Sequence, residues 1–241
     1  MLTPPLKPDA PWRAGVRAAR ATLVPGIALQ VAAVSLVLAY YRSDAARSSI
    51  NTLAELHERM GILFGVISTA IFGGLIPFLY LKARPQTRAG FTWSGGAALT
   101  AFWAYKGFEV DAWYHLQAWL VGAENDVGTI AIKTFLDQFV YCPFLAVPVT
   151  VLVIEWIYAE FRFAPIAADI RAGGWYRRRV LHVLISNLGV WIPAVCIIYA
   201  LPTALQLPLQ NLVLCFWTIL LAHIMPRREA ALASLMSAGP Q

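Results

Sequence analysis

Long apolar runs alternate with short polar, mostly basic stretches over nearly the whole chain. An α-helix needs about 20 residues to cross the hydrocarbon core of a bilayer. Six segments reach about that length, and they are residues 23–41, 60–81, 91–121, 130–158, 180–201 and 208–225. The pattern predicts an all-α integral membrane protein, built as a bundle of about six transmembrane helices.

The same pattern divides the chain into four regions. They are a basic N-terminal segment at 1–22, two transmembrane helices within 23–90, a four-helix membrane region at 91–225, and a polar C-terminal tail at 226–241. Between the first two predicted helices, the stretch up to Arg59 reads as a polar loop. A loop of about 20 residues is expected after the fourth helix.

The segment 91–121 contains three charged residues, Lys106, Glu109 and Asp111. Left unpaired in the middle of a membrane, they would cost on the order of 8 to 10 kcal/mol. Loop charges nevertheless favour a crossing, because six spans place 14 of the 19 Lys and Arg residues on the side of the N-terminus and 4 on the other. Without this crossing the division is 9 against 10 and the positive-inside bias disappears. We therefore expect both termini on the cytoplasmic or matrix side.

Composition supports a membrane protein, since 59% of residues are hydrophobic and 13% are charged, against about 25% charged in soluble domains. The net charge of +6 does not indicate nucleic-acid binding, because the basic residues lie between apolar runs and form no single patch. Three cysteines without a CxxC motif indicate neither a disulfide framework nor a zinc or other metal site.

The fourth predicted span contains Asp137, Gln138 and Glu155. An acid inside a membrane is expensive and is by default a hypothesis for a functional site. In an ideal helix Asp137 and Glu155 are five turns apart, on one face and about 27 Å from each other, although Pro143 and Pro148 lie between them. Two interpretations remain open: a kinked helix with an acid near each end of a buried face, or a helix whose two acids lie near the headgroups.

The charges of the third span need partners inside the bundle. Lys106 and Glu109 (i, i+3) share a helix face and form the natural pair, whereas Asp111 and His115 (i, i+4) lie roughly opposite. A cluster of Asp111, His115 and Asp137 is geometrically possible if the two helices pack together. Such groups can serve as a path for protons or cations, or they can be a charge network that holds the bundle together.

Gly61, Gly65, Thr69 and Gly73 recur at four-residue spacing on the second predicted span. Small residues in this pattern let helix backbones approach closely. Packing within the chain is the favoured use, and a seam between two copies in a homo-oligomer is the alternative.

His182 and His223 both fall near the inner face, where two histidines can ligate a haem. The chain has no His-x-x-His cluster and no CxxCH motif, so we expect no cofactor and no enzymatic activity.

The stretch LDQFVYCP, Leu136 to Pro143, contains an Asp-Gln pair with a proline five positions after the glutamine, and Trp113-Tyr114 stands upstream. These features resemble the Mpv-seventeen and peroxisomal-membrane-protein-twenty-two family. The similarity extends over about 91–225, and its C-terminal signature positions are Asn187, Trp191, Pro193, Tyr199, Pro202 and Trp217.

The chain also departs from this family. Ile197 and Ile198 stand where the family usually has Asn-Phe, Ile192 separates the Trp from the Pro, and Gln206 takes the place of the usual arginine. Two predicted spans precede the matching region, where the family has one.

The resemblance implies a small helical protein of mitochondrial inner or peroxisomal membranes with a role as a channel or in metabolite permeability. We expect a channel or permease-like pathway for ions or small metabolites, with Asp137 and Glu155 as path acids. A bacterial inner membrane is the favoured location. The alternative function is a non-catalytic structural or assembly protein of the membrane.

Overall fold

The computed structural model describes residues 23–85, 88 and 92–219, and within these ranges it contains helices and turns but no strand. The all-α class is therefore confirmed. The helices are α1 (Leu23–Arg42), α2 (Asp44–Met60), α3 (Ile62–Ala83), α4 (Trp93–Val121), α5 (Val127–Tyr158), α6 (Ala164–Arg171), α7 (Tyr176–Tyr199) and α8 (Thr203–Ile219). The predicted N-terminal segment 1–22 and tail 226–241 lie outside the described residues.

Three helices, α3, α5 and α7, are long and apolar enough to cross a membrane. Residues Gly26–Arg42 of α1 qualify only together with α2, and these two helices meet at an angle of 107°. The described part of α8 is apolar but shorter than a span. Helix α4 has 29 residues, which gives a length of about 43 Å, and it contains the three charges noted above.

Helix α2 replaces the polar loop expected before Arg59. It begins where the Ser43 hydroxyl accepts a hydrogen bond from the Ala46 amide at 3.3 Å, which is the usual N-cap interaction. Ile50 and Ala54 pack against the core, and His57, one turn further on, is buried. The inward positions at i, i+4 and i+7 are those of an amphipathic helix that lies against the end of the bundle.

Helices α3 and α4 approach closely through glycine. A Cβ atom on Gly107 would overlap the carbonyl group of Gly65, and one on Gly73 would meet the Trp103 ring at 2.9 Å. The Gly65, Thr69 and Gly73 positions are buried within the chain. These three residues thus pack inside the molecule, whereas Gly61, the fourth residue of the stripe, is exposed just before α3. A seam between two copies stays a prediction.

Helix α8 is held against α3 by side-chain hydrogen bonds. The Thr69 hydroxyl donates to Asn211 Oδ1 at 2.9 Å, and Asn211 Nδ2 donates to the Ser68 hydroxyl at 2.8 Å. The Tyr114 hydroxyl of α4 donates a hydrogen bond to Gln210 Oε1, which also belongs to α8. Side-chain hydrogen bonds of this kind are usual between helices in membranes.

Helix α5 widens to π-helical turns over Leu136–Ala146. Pro143 lies inside this stretch and has no amide hydrogen to donate, so an ordinary α-helical ladder would be broken there. Such wide turns are frequent at functional sites. Here they contain Asp137, Gln138 and Tyr141, all of which are buried.

The loop expected after α5 contains a further short helix, α6, and α7 begins four residues earlier than the predicted fifth span. The predicted sixth span corresponds to α8 up to Ile219, and its last six residues lie outside the described part of the chain.

Candidate functional site

The central cluster lies between α4 and α5 and consists of Lys106, Glu109, Trp113, Asp137, Gln138 and Tyr141. The Lys106 ammonium donates to Glu109 Oε1 and to the Tyr141 hydroxyl, the latter at 3.1 Å. The Tyr141 hydroxyl in turn donates to Glu109 Oε1 at 2.5 Å. The structure therefore contains the Lys106–Glu109 pair expected from the i, i+3 spacing.

Asp137 is enclosed in the same cluster. Trp113 Nε1 donates to Asp137 Oδ1 at 3.0 Å, and Gln138 Nε2 donates to Oδ2 at 2.8 Å. The Trp113 ring stacks on the Tyr141 ring, with centroids 4.9 Å apart. Asp137 is only 5% exposed, so its carboxylate is bound by neutral donors and closed off from solvent.

Two buried acceptors of the central cluster, Glu109 Oε2 and Gln138 Oε1, have no hydrogen-bond donor within 3.5 Å among the described residues, although the Tyr105 hydroxyl interacts with the Glu109 carboxylate. Each such group costs about 1–3 kcal/mol relative to a satisfied one. A cluster that served only to join helices would gain no stability from acceptors that have no donor. They can instead accept hydrogen bonds from a proton donor or a small polar solute.

The histidine pocket is a cavity of about 640 Å³ on the opposite face of α4. Its ionisable residues are His57, Glu58, Asp111 and His115, and the rest of its wall consists of Thr203, one isoleucine, one glycine and three alanines. Small side chains and open backbone leave room there for a solute next to the charged groups.

Asp111 is the centre of the histidine pocket. His57 Nε2 lies 3.0 Å from Asp111 Oδ1, and His57 Nδ1 lies 2.8 Å from the Ala204 carbonyl oxygen. His115 Nδ1 lies 2.9 Å from the Asp111 carbonyl oxygen and 3.5 Å from Oδ1. Burial alone lowers the pKa of His57, but the hydrogen bonds to Asp111 and Ala204 outweigh it, so the pKa of His57 lies above its usual value.

The cluster of Asp111, His115 and Asp137 forms only in part, because His115 Nδ1 lies 3.5 Å from Asp111 Oδ1 whereas Asp137 is bonded to Trp113. Asp111 and Asp137 point to different faces of α4, and the partner of Asp111 is His57 of α2. Sequence reasoning missed His57 because it was assigned to a loop. Its place at i+7 after Ile50, on the apolar face of an amphipathic helix, is the signal that identifies it as an inward-facing residue.

Glu155 belongs to a third group at the other end of α5. Trp175 Nε1 donates to Glu155 Oε2 at 3.1 Å, and the Arg179 guanidinium lies 3.4 Å from Oε1. The side chain of Glu155 is 25% exposed. This partial exposure is contrary to a buried path acid aligned with Asp137.

Asp169 of α6 completes this third group. It lies 2.5 Å from Arg178 and 3.1 Å from Arg179. Hydrogen bonds from these two guanidinium groups hold the pKa of Asp169 below its usual range. Acids and arginines therefore compensate each other where α5, α6 and α7 meet.

The resemblance positions occupy interior contacts. Trp113 is bonded to Asp137, Asn187 Nδ2 lies 3.8 Å from Cys142 Sγ, and the Pro143 carbonyl accepts a hydrogen bond from Tyr176 at 2.9 Å. These three contacts join α5 to α4 and to α7.

The remaining signature positions line the core at the α7–α8 side. Tyr199 is buried with its ring 5.5 Å from that of Tyr114, and Trp191 and Trp217 pack in the hydrophobic core. Pro193 lies inside α7, and the Pro202 carbonyl accepts the Leu205 amide at 2.8 Å where α8 begins.

Within the described residues, no group of three or more His, Cys, Asp and Glu side chains is placed to hold a metal ion. His182 lies in α7, while His223, the second residue of the haem alternative, lies outside the described residues.

The fold and the clusters define an all-helical protein with helices apolar enough to cross a membrane and charged residues sheltered between them. Comparisons with protein-family models, with curated proteins and with solved structures find no match. The resemblance to the Mpv-seventeen family stays a prediction.

Proposed function

We propose that the chain is a membrane protein of six transmembrane helices that provides a closed, permease-like pathway for protons, ions or small polar solutes. Helix α4 crosses in this arrangement because its charges have partners. Lys106 is paired with Glu109, and Asp111 with His57. Pairing within the bundle removes most of the cost of inserting three unpaired charges.

The observation that supports a pathway is the pair of unpartnered acceptors in the central cluster. Glu109 Oε2 and Gln138 Oε1 are buried beside an ionisable lysine, an ionisable acid and a wide helical turn. Ionisable groups at this depth are usually found where a solute, an ion or a proton passes. The histidine pocket, on the other face of α4, provides a wide opening at one end of the bundle.

A second candidate function is an assembly protein whose charges only join helices. The enclosure of Asp137 by Trp113 and Gln138 favours it, because this residue is only 5% exposed. The two functions predict opposite results in a flux measurement, since a joining network conducts nothing.

The experiment is release from liposomes that contain the purified full-length protein and are loaded with K⁺, Cl⁻ or a pH-sensitive dye. We expect release above that of protein-free liposomes. In Asp137→Asn the rate of release should change by about tenfold or more, because the neutral amide removes the carboxylate that Trp113 and Gln138 enclose. The matched control is Glu55→Gln, because this acid is exposed on α2 and pairs with the likewise exposed Arg59 at 3.8 Å. No release by the wild-type protein, or release unaltered by Asp137→Asn, contradicts the pathway and favours assembly.

A further inference from the structure

His57 has an acceptor at each ring nitrogen. The Ala204 carbonyl faces Nδ1 at 2.8 Å, and the Asp111 carboxyl faces Nε2 at 3.0 Å. A neutral imidazole has a single N–H group, so beside an ionised carboxylate it can satisfy only one of these contacts. The other would bring two lone pairs together.

Two protonation states resolve this conflict. In the first, His57 is an imidazolium and donates to both Ala204 and Asp111. In the second, His57 donates to Ala204 while a protonated Asp111 carboxyl donates to Nε2. Both states contain the same number of protons, which is one more than a neutral histidine beside an ionised carboxylate. The geometry therefore requires a bound proton whichever atom holds it.

The charged surroundings of His57 favour that proton. Glu58 adjoins it on α2, Asp111 faces it from α4, and the Ala204 carbonyl faces it from α8. Helix α3 contributes the apolar residues Ile62 and Phe64, and the Phe64 ring centroid lies 4.8 Å from that of the imidazole. His115 of α4 is the second imidazole of the pocket, and its ring centroid lies 6.1 Å from that of His57.

His115 differs from His57 in its exposure. Its side chain is 63% exposed, against 5% for His57. Its Nδ1 is engaged by the Asp111 carbonyl at 2.9 Å, which leaves Nε2 for the water of the pocket. Asp111 thus connects an exposed histidine with a buried one.

We propose that His57, Asp111 and His115 form a proton-binding site that opens into the histidine pocket. His57 and Asp111 share the bound proton, and His115 exchanges it with water. Binding forms one N–H or O–H bond in the site and takes the proton from water in the pocket, with no transfer of electrons. The binding of this proton does not depend on transport, whereas its role as the ion taken up at this end of the pathway rests on the proposed function.

The test is nuclear magnetic resonance of the full-length protein in lipid nanodiscs, with ¹⁵N-labelled histidine and ¹³C-labelled aspartate carboxyls, titrated from about pH 5 to pH 9. The chain has four histidines, and loss of one signal in His57→Gln assigns that residue. At pH 7 we expect either two protonated ring nitrogens on His57 or a protonated Asp111 carboxyl. A neutral His57 beside an ionised Asp111 at pH 7 overturns the proposal.

Asp111→Asn tests whether the site needs the Asp111 carboxyl to bind the proton, because the amide preserves the shape of the side chain and removes its charge. We expect the proton affinity of His57 to fall roughly tenfold or more, the usual effect of an adjacent opposite charge. Glu58→Gln is the matched control, since Glu58 lines the same pocket without a hydrogen bond to His57, and it should change the affinity less than about threefold. Equal effects of the two variants contradict the proposal. If Asp111→Asn does not fold, the wild-type titration alone decides.

The liposome measurement separates this inference from the proposed function. A bound proton without any flux leaves the site in place and removes the pathway. Flux without a bound proton at His57 and Asp111 leaves the pathway in place and removes the proton-binding site.

Discussion

At the residue scale, the Lys106–Glu109 pair shows how α4 can be charged and buried at once. Lys106 is 4% and Glu109 9% exposed, and both bond to the Tyr141 hydroxyl of α5. Removing one member of a buried pair leaves an uncompensated charge, which costs far more than the pair contributes when intact. Removing one of the two residues should therefore destabilise the bundle more than removing both charges together.

This dependence predicts that Lys106→Met lowers the free energy of unfolding by about 3–5 kcal/mol. The double variant Lys106→Met with Glu109→Gln should regain most of that loss, because no charge then remains unpaired. Denaturant unfolding in detergent micelles measures both. Arg59→Met is the control, since its exposed pair with Glu55 should contribute less than about 1 kcal/mol. A double variant as unstable as the single one would contradict the argument.

A second prediction at this scale concerns the stability of the wild-type protein against pH. The folded pKa of His57 is raised, so the folded state binds this proton more tightly than the unfolded state. The resulting stabilisation is complete below the unfolded histidine value of about 6.5 and is lost as the pH rises through the raised value. The melting temperature should therefore fall across that window.

Asp111→Asn should flatten this fall, because the carboxylate is a main cause that raises the pKa of His57. Thermal melts in nanodiscs at intervals of half a pH unit provide the comparison. A wild-type melting temperature that rises over the same window would show the wrong sign and count against a bound proton.

At the element scale, local spacing predicted contacts within a helix but not between helices. The i, i+3 relation of Lys106 and Glu109 was sufficient because one helix fixes both side chains. The partner of Asp111 is His57, 54 positions earlier, and only the packing of α2 against the end of the bundle brings them together. Helix α2 is polar on average, and for that reason its sequence was expected to form a loop. Packing against the end of the bundle stabilises it as a helix.

The contact between α3 and α4 gives a prediction at this scale. Gly107→Ala places a methyl group against the Gly65 carbonyl, and overpacking of this kind costs about 1–3 kcal/mol. Gly26→Ala in α1 is the matched control, because its Cβ would meet only Val190 at an ordinary 3.9 Å. The control should be neutral or slightly stabilising, since alanine favours a helix over glycine.

Unfolding of the two glycine variants under one set of conditions measures this difference. Equal stability would mean that α3 and α4 can separate by the width of a methyl group without loss. In that case the small-residue stripe would be free to serve a homo-oligomer, which size measurement of the purified protein can detect.

At the scale of the whole molecule, the distribution of loop charges and the partners of the α4 charges support the same arrangement independently. The loop charges are read from the sequence alone, whereas the partners of the α4 charges are read from the structure alone. Length and apolarity alone identify three helices able to cross a membrane, or four with the bent pair, and α4, with its three charges, is not among them. A hydropathy criterion treats each helix as if it were alone in lipid, whereas Lys106, Glu109 and Asp111 face protein.

Crossing by α4 predicts that its two ends lie in different compartments. Single cysteines in place of Arg88, Glu124 and Arg177, which are exposed before α4, after α4 and after α5, should react with a membrane-impermeant thiol reagent from alternating sides. Arg88→Cys and Arg177→Cys should be labelled from one side of sealed vesicles and Glu124→Cys from the other. The unmodified protein, whose Cys142 is buried and whose Cys196 and Cys215 are half-buried, supplies the background. Labelling of positions 88 and 124 from the same side would mean that α4 does not cross, and its paired charges would then need an explanation outside the membrane.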